Sequence, residues 1–298
     1  MSEQRIRTGV QRLDHILKGG FLRNGVYSIF GPPGSGKTIL ANQSCFNHVK
    51  LDGGRCVFLT LLVESHTKML HHLRSLEFFD PSVVGEALYY ISGYQVLKES
   101  GLKGLLHLIR ETVVARKPTL FVIDGLENTE QYAAANQEYK EFLHELQAFT
   151  ALAGCTTLLC AVSQENDQVR AHHTIVDGVV ELSDKLIGPR AVRELTVHKF
   201  RGSDYLRGRH EVEITSKGVQ IHPRTEIQFD KPTSAAREER IRMPFGVKEL
   251  DAMLHGGLPS GSTTALLGAP GTGKTLLGLH FLLDAAKRGE KGIYFGFY

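Results

Sequence analysis

The chain carries one short loop twice, and that loop dictates most of what can surround it. Residues 31–38 read GPPGSGKT and residues 268–275 read GAPGTGKT. Both fit the spacing G-x-x-x-x-G-K-[ST], which functions between a strand and a helix. The glycines let the backbone curl so that successive N–H groups point at one anion, and the following helix presents the positive end of its dipole. In the first copy Gly31, Gly34, Ser35 and Gly36 form the cradle, Lys37 is placed to reach the β- and γ-phosphates of a nucleotide, and Thr38 offers its hydroxyl to Mg²⁺. The matching residues of the second copy are Gly271, Thr272, Gly273, Lys274 and Thr275. Each copy follows an apolar run and precedes a helix-forming one, so nucleotide binding is expected in preference to a simple glycine-rich turn.

The repeat extends beyond the loops. Offset by 237 positions, TGVQRLDHILKGG falls on FGVKELDAMLHGG, and 14 of the 32 residues from Gly9 to Leu40 are identical. This offset is far longer than a solenoid repeat and measures a whole domain plus its linker. The segment PRTEIQFDKPTSAAREERIR, residues 223–242, combines two prolines with a small-residue patch and a charge run, as exposed linkers do. The organisation expected is a first domain over residues 1–225, a linker over 226–242, and the opening of a second domain over 243–298. That second part is expected to hold a helical lead-in, two strands and one helix. It is too little to cover a parallel sheet on both faces, so phosphate binding at Lys274 and Thr275 would be weak and no catalysis is expected there.

Within the first domain, apolar runs alternate with helical ones. GVYSIF, RCVFLTLL, ALYYIS, TLFVID and CTTLLCAVS read as strands. Between them, residues from Lys37 to about Lys50, SHTKMLHHLRSL, GLKGLLHLIRETVVAR and NQEYKEFLHELQAFTALA read as helices. That alternation implies an α/β fold with a mainly parallel sheet flanked by helices on both faces. From Val176 to Ile221 the pattern turns to consecutive strands, giving an antiparallel C-terminal extension at one edge. The net charge of +3 does not indicate a nucleic-acid coat or a membrane-surface protein, and no apolar run approaches the about 20 residues that span a bilayer. Cys45, Cys56, Cys155 and Cys160 sit in apolar runs without zinc-type pairing, as reduced core thiols of a cytoplasmic protein would. The histidine pairs His71–His72 and His172–His173 lack metal-ligand spacing.

Three further groups complete a candidate site. Asp124 ends the apolar run TLFVID, where a carboxylate beside a phosphate loop holds the water shell of Mg²⁺. Glu64, just beyond the strand that follows the loop helix, is the candidate to activate water, although an acid there also suits the start of the next helix. Ser163 and Gln164 lie at the strand end in LLCAVSQEN, with Gln164 the candidate γ-phosphate sensor and a plain turn the alternative.

These motifs, with TLLVESHTKML, FVIDGL, DGVVELS and VHKFRGSDYLRGRHEVEITSKGVQIHP, resemble the KaiC-type branch of the RecA-superfamily P-loop ATPases, the bacterial clock-protein family and its wider relatives. The resemblance covers nearly all of the first domain and the opening of the second. It implies a RecA-like fold, ATP and Mg²⁺ as ligands, and a homo-oligomer, a hexameric ring or a filament, working with a regulatory protein partner. It also implies that Lys199 and Arg201 project into a neighbouring subunit's site and act on its γ-phosphate. The chain departs from the family in carrying Val63 where the clock proteins have the first of two adjacent glutamates. The family's autophosphorylation belongs to a later part of the second domain, so no serine/threonine autokinase activity is expected here. The function implied is an ATP-hydrolysing regulatory or signalling ATPase. The alternatives are an ATP-gated assembly switch with negligible turnover, which Val63 motivates, and a RecA-type DNA recombination or repair ATPase. The acidic run ENTEQYAAANQEYKE, where such recombinases need basic loops, argues against DNA binding.

Overall fold

The computed structural model describes residues 5–62, 66–163, 174–228 and 241–296. The chain divides into two compact units, Met1–Asp230 and Lys231–Tyr298.

The first unit opens with β1 (Arg5–Ile6), α1 (Leu13–Ile16) and β2 (Phe21–Leu22), where β1 and β2 pair antiparallel. Then come β3 (Val26–Gly31), α2 (Lys37–Asp52), β4 (Cys56–Thr60), α3 (His66–Leu73), β5 (Leu88–Ser92), α4 (Tyr94–Arg116) and β6 (Leu120–Asp124). The unit continues through α5 (Glu127–Glu130), α6 (Asn136–Leu152), β7 (Thr156–Val162), β8 (Gly178–Ile187), β9 (Arg190–Phe200), β10 (Arg209–Thr215), β11 (Gly218–His222) and α7 (Thr225–Gln228). One nine-stranded sheet has the order β11-β10-β9-β8-β3-β7-β6-β4-β5. It is parallel from β8 to β5 and antiparallel from β8 through β11, so the mainly parallel sheet with an antiparallel extension is present.

The strands are apolar throughout because both faces are covered. Along β6, Leu120 and Val122 join one core while Phe121 and Ile123 join the other, as strand alternation requires. The first core is closed by α2 through Leu40, Ala41, Cys45 and Phe46. The second is closed by α4 and α6 through Leu105, Ile109, Tyr139 and Phe142. Each buried leucine, isoleucine or phenylalanine among them contributes about 1.5–3 kcal/mol by leaving water. Two lengths differ from expectation. Helix α4 begins seven residues before Gly101, where it breaks: Gly101 adopts φ 61°, ψ −158°, a backbone that glycine tolerates. Helix α2 runs on to Asp52 and ends at Gly53 in the left-handed region, with amide–carbonyl bonds to the last turn.

The second unit contains β12 (Arg242–Met243), α8 (Lys248–Met253), β13 (Leu258–Pro259) and α9 (Lys274–Lys287). It repeats several contacts of the opening of the first unit. Arg5 Nη1 donates to the carbonyls of Leu17 and Gly20, and Arg242 Nη1 donates to those of Leu254 and Gly257. Asp14 Oδ1 accepts the Thr8 N–H at 2.8 Å, and Asp251 Oδ1 accepts the Phe245 N–H at 2.6 Å. The two expected strands, before the loop and after α9, are absent: residues 263–268 and 291–296 join no sheet among the described residues. In the first unit the equivalent β3 lies between β7 and β8, and the described residues of the second unit include no counterpart of either. A strand needs a partner for its backbone, whereas the loop and helix carry their own hydrogen bonds.

Candidate functional site

The two phosphate-type loops have the same backbone. Gly34 and Gly36 adopt φ 80° and 99°, and Gly271 and Gly273 adopt 82° and 83°. Lys37 Nζ donates to the Gly31 and Pro32 carbonyls at 2.8 and 2.9 Å, and Lys274 Nζ donates to the Gly268 and Ala269 carbonyls at 2.8 Å each. Both ammonium groups therefore curl back over their own loops. Gly31 is also needed sterically, since a Cβ there would run into the Leu182 carbonyl of β8.

Among the described residues, the first loop alone is surrounded by a site. A cavity of about 430 Å³ is lined by residues of the loop and α2 together with Leu62, Asp124, Glu127, Cys160, Ala161 and Val162. It lies over the C-terminal ends of β3, β7 and β6, where ligands of open α/β sheets bind. Strand register brings these ends together, with Gly31 opposite Val162 and Asp124 opposite Cys160. Thr38 Oγ1 donates to Asp124 Oδ2 at 2.9 Å. Asp124 is 4% exposed. Burial pushes its carboxyl up to about 6; the Thr38 hydrogen bond opposes this, the Glu127 charge adds to it, and Lys37 opposes it. Burial likewise lowers the Lys37 ammonium, against the nearby acids.

A hydroxyl and a carboxylate side by side are the hard oxygen donors that suit Mg²⁺, which takes one or two carboxylates and completes its shell with phosphate and water. The cradle also contains a buried hydroxyl, Ser35 Oγ, that meets no hydrogen-bond partner in the protein. Both features fit a phosphate–cation pair. Around the second loop the cavity of about 510 Å³ is lined by Leu266, Leu267, Leu276, Leu277 and His280 with the loop itself, and carries no carboxylate.

The other expected site residues are distributed differently. Glu64 and Gln164 lie outside the described residues. Ser163, next to Gln164, donates its N–H to the Gly31 carbonyl at 3.1 Å, tying the end of β7 to the loop. Lys199 and Arg201 do not line the Lys37 cavity of their own chain. Lys199 Nζ donates to the Thr174 and Val176 carbonyls at 3.0 and 2.6 Å, and Arg201 Nη2 to the Thr174 carbonyl at 3.4 Å. Burial lowers the Lys199 ammonium, and the Arg201 charge acts the same way. A β-bulge between Val179 and Val180 shifts the register so that Lys199 pairs with Val179.

Three contributors were not singled out in the sequence. Glu127 lines the cavity, Asn42 Nδ2 donates to the Thr38 carbonyl at 2.8 Å, and Tyr90 donates its hydroxyl to Asn42 Oδ1 at 2.7 Å. The only sequence signal for Glu127 is its place three residues after Asp124, in DGLE. Asn42 and Tyr90 lie 48 residues apart and had no local signal.

Residues 6–226 and 243–297 match the family model described as "ATPase: KaiC". The chain belongs to the KaiC ATPase family. Among curated relatives, the circadian clock oscillator protein KaiC of Rippkaea orientalis is 29% identical over 306 residues, covering 99% of this chain and 57% of the relative. The KaiC proteins of Picosynechococcus sp. (29% identical, 99% and 58% covered) and Synechococcus elongatus (27% identical, 98% and 57% covered) are similar over the same extent. The chain thus spans somewhat over half the length of the curated relatives it matches. No helix of the described residues is long and apolar enough to cross a membrane.

Proposed function

We propose that the first unit binds ATP with Mg²⁺ and hydrolyses it in an oligomer in which a neighbouring copy completes each site, giving a KaiC-like regulatory ATPase. The observation that carries this reading is the Thr38–Asp124 hydrogen bond at the opening of α2, beside Lys37 and inside a cavity at the strand ends. The amides at the start of α2 and the Lys37 ammonium would receive the triphosphate. Thr38 and Asp124 would hold the cation, which would supply charge neutralisation to the phosphates. Glu64 is the residue assigned to orient water, and Gln164 the one to sense the γ-phosphate. Lys199 and Arg201 would reach a neighbour's nucleotide, exchanging their bonds to the carbonyls of residues 174 and 176 for phosphate oxygens. Residues 1–225 would form the working domain, 226–242 the linker, and 243–298 the opening of a second domain with at most weak phosphate binding at Lys274 and Thr275.

The test combines phosphate release with sizing in the presence and absence of ATP–Mg²⁺. Lys37→Ala should lose ATP binding. Arg201→Ala should keep ATP binding, lose phosphate release and weaken nucleotide-driven assembly. Wild-type release equal to that of Lys37→Ala, with assembly still driven by ATP, would replace this reading with that of an assembly switch.

A further inference from the structure

The charged lining of the first cavity poses an electrostatic problem. Among the described residues its charge-bearing side chains are Lys37, Asp124 and Glu127, one cation against two carboxylates. The Cys160 thiol beside them is held neutral, because burial raises it well above its ordinary range. The two carboxylates oppose an incoming polyanion, since like charges at close quarters repel strongly in a partly desolvated site.

Glu127 is not placed there by accident of helix composition. The turn that carries it is pinned to β7: the Gly125 and Leu126 amides donate to the Cys160 carbonyl at 3.2 and 3.0 Å, and Glu127 Oε2 accepts the Val162 N–H at 3.0 Å. Val162 is the register partner of Gly31, the residue that opens the phosphate loop. The carboxylate is therefore anchored between the end of β6 and the end of β7, on the cavity wall that Asp124 shares. The anchoring bond needs only an acceptor, which a neutral amide would supply equally. The negative charge is not required by that bond, and the four-residue α5 that Glu127 opens has only a small dipole for it to serve.

We propose that Glu127 is a second cation-directed carboxylate of this site, acting with Asp124 so that a nucleoside triphosphate enters only together with a divalent cation. The proposal rests on the reading of the first unit as an ATP site. With the cation present, the Glu127 charge strengthens binding by attracting the cation's hydration shell. Without the cation, the same charge repels the triphosphate. Removing it should therefore move affinity in opposite directions under the two conditions, a pattern that loss of packing does not produce.

The experiment is calorimetric titration of the full chain with ATP, over a MgCl₂ series and in EDTA, for wild type, Glu127→Gln and Lys37→Ala, with direct Mn²⁺ binding followed by electron paramagnetic resonance. Glu127→Gln keeps an acceptor for the Val162 N–H and should fold as wild type by circular dichroism. Its half-saturating Mg²⁺ should rise about 10- to 100-fold, the usual effect of losing a supporting group around a metal. In EDTA it should bind ATP more tightly than wild type. An unchanged Mg²⁺ requirement, or an affinity lowered equally with and without Mg²⁺, overturns the proposal while leaving the ATP-site reading intact. Wild type that binds ATP no better than Lys37→Ala at any Mg²⁺ concentration overturns both.

Discussion

The phosphate loop is braced from outside the parallel sheet, and the brace can be measured. Gly36 sits at the end of the loop with φ 99°, and a Cβ built on it would lie 2.7 Å from Cδ1 of Ile214 on β10. Gly36→Ala therefore incurs two separable penalties. The left-handed backbone costs about 1–2 kcal/mol for a residue with a Cβ. Displacing the Ile214 methyl costs about 1 kcal/mol more, the lower end of overpacking, because the obstacle is the tip of a flexible side chain. Ile214→Val removes that one carbon and alone should cost about 0.5–1.5 kcal/mol. In the double variant the steric part of the Gly36→Ala penalty disappears while the backbone part remains. Urea unfolding of all four proteins should thus show a coupling of about 1 kcal/mol, with the double variant more stable than the sum of the singles predicts. ATP titration of the same set should show weakened binding in both proteins that carry Gly36→Ala, because the amides that form the cradle move with the backbone. Strictly additive stabilities would refute the claim that β10 seats directly on the loop.

How far the sequence carried this site depends on the range of each interaction. The two loops were legible because their conformation is local: glycine positions and one lysine fix it, and it forms even in the second unit, where no sheet supports it among the described residues. The apolar runs of the first unit announced its strands, yet residues 263–268, which precede the second loop, form none among the described residues, because strand character is completed only by neighbours. Asp124 could be read from its run, since a carboxylate ending a buried strand beside such a loop has few other uses. Glu127 could not, because an acid opening a short helix ordinarily serves the helix dipole, and only the Val162 contact reveals where it points. Ile214 against Gly36 and Gln43 against Val219 are contacts between segments some 175 residues apart, with no periodicity to betray them.

Two further outcomes follow from buried polar groups. Gln43, on α2, accepts the buried Val219 N–H at 2.8 Å, so Gln43→Leu orphans that amide and should lower unfolding free energy by about 1–3 kcal/mol. A loss under about 0.5 kcal/mol in urea would show that the amide finds another partner. His48 makes stability depend on pH. Its ring is 1% exposed, with Nδ1 3.1 Å from Asp52 Oδ2 and Nε2 2.8 Å from Thr119 Oγ1. Burial lowers its folded-state value below the ordinary 6.5; Asp52 opposes this, and the charges of Arg23 and Arg7 reinforce it. An unfolded chain therefore takes up a proton near its ordinary value while the folded chain still refuses it, so the His48 contribution is intact above about 6.5 and is lost as pH falls through that range toward the folded value. Thermal melts at pH 7.5 and 5.5 should show wild type losing more stability than His48→Gln, which cannot titrate. Equal losses in the two proteins would place the proton uptake elsewhere and remove His48 as its source.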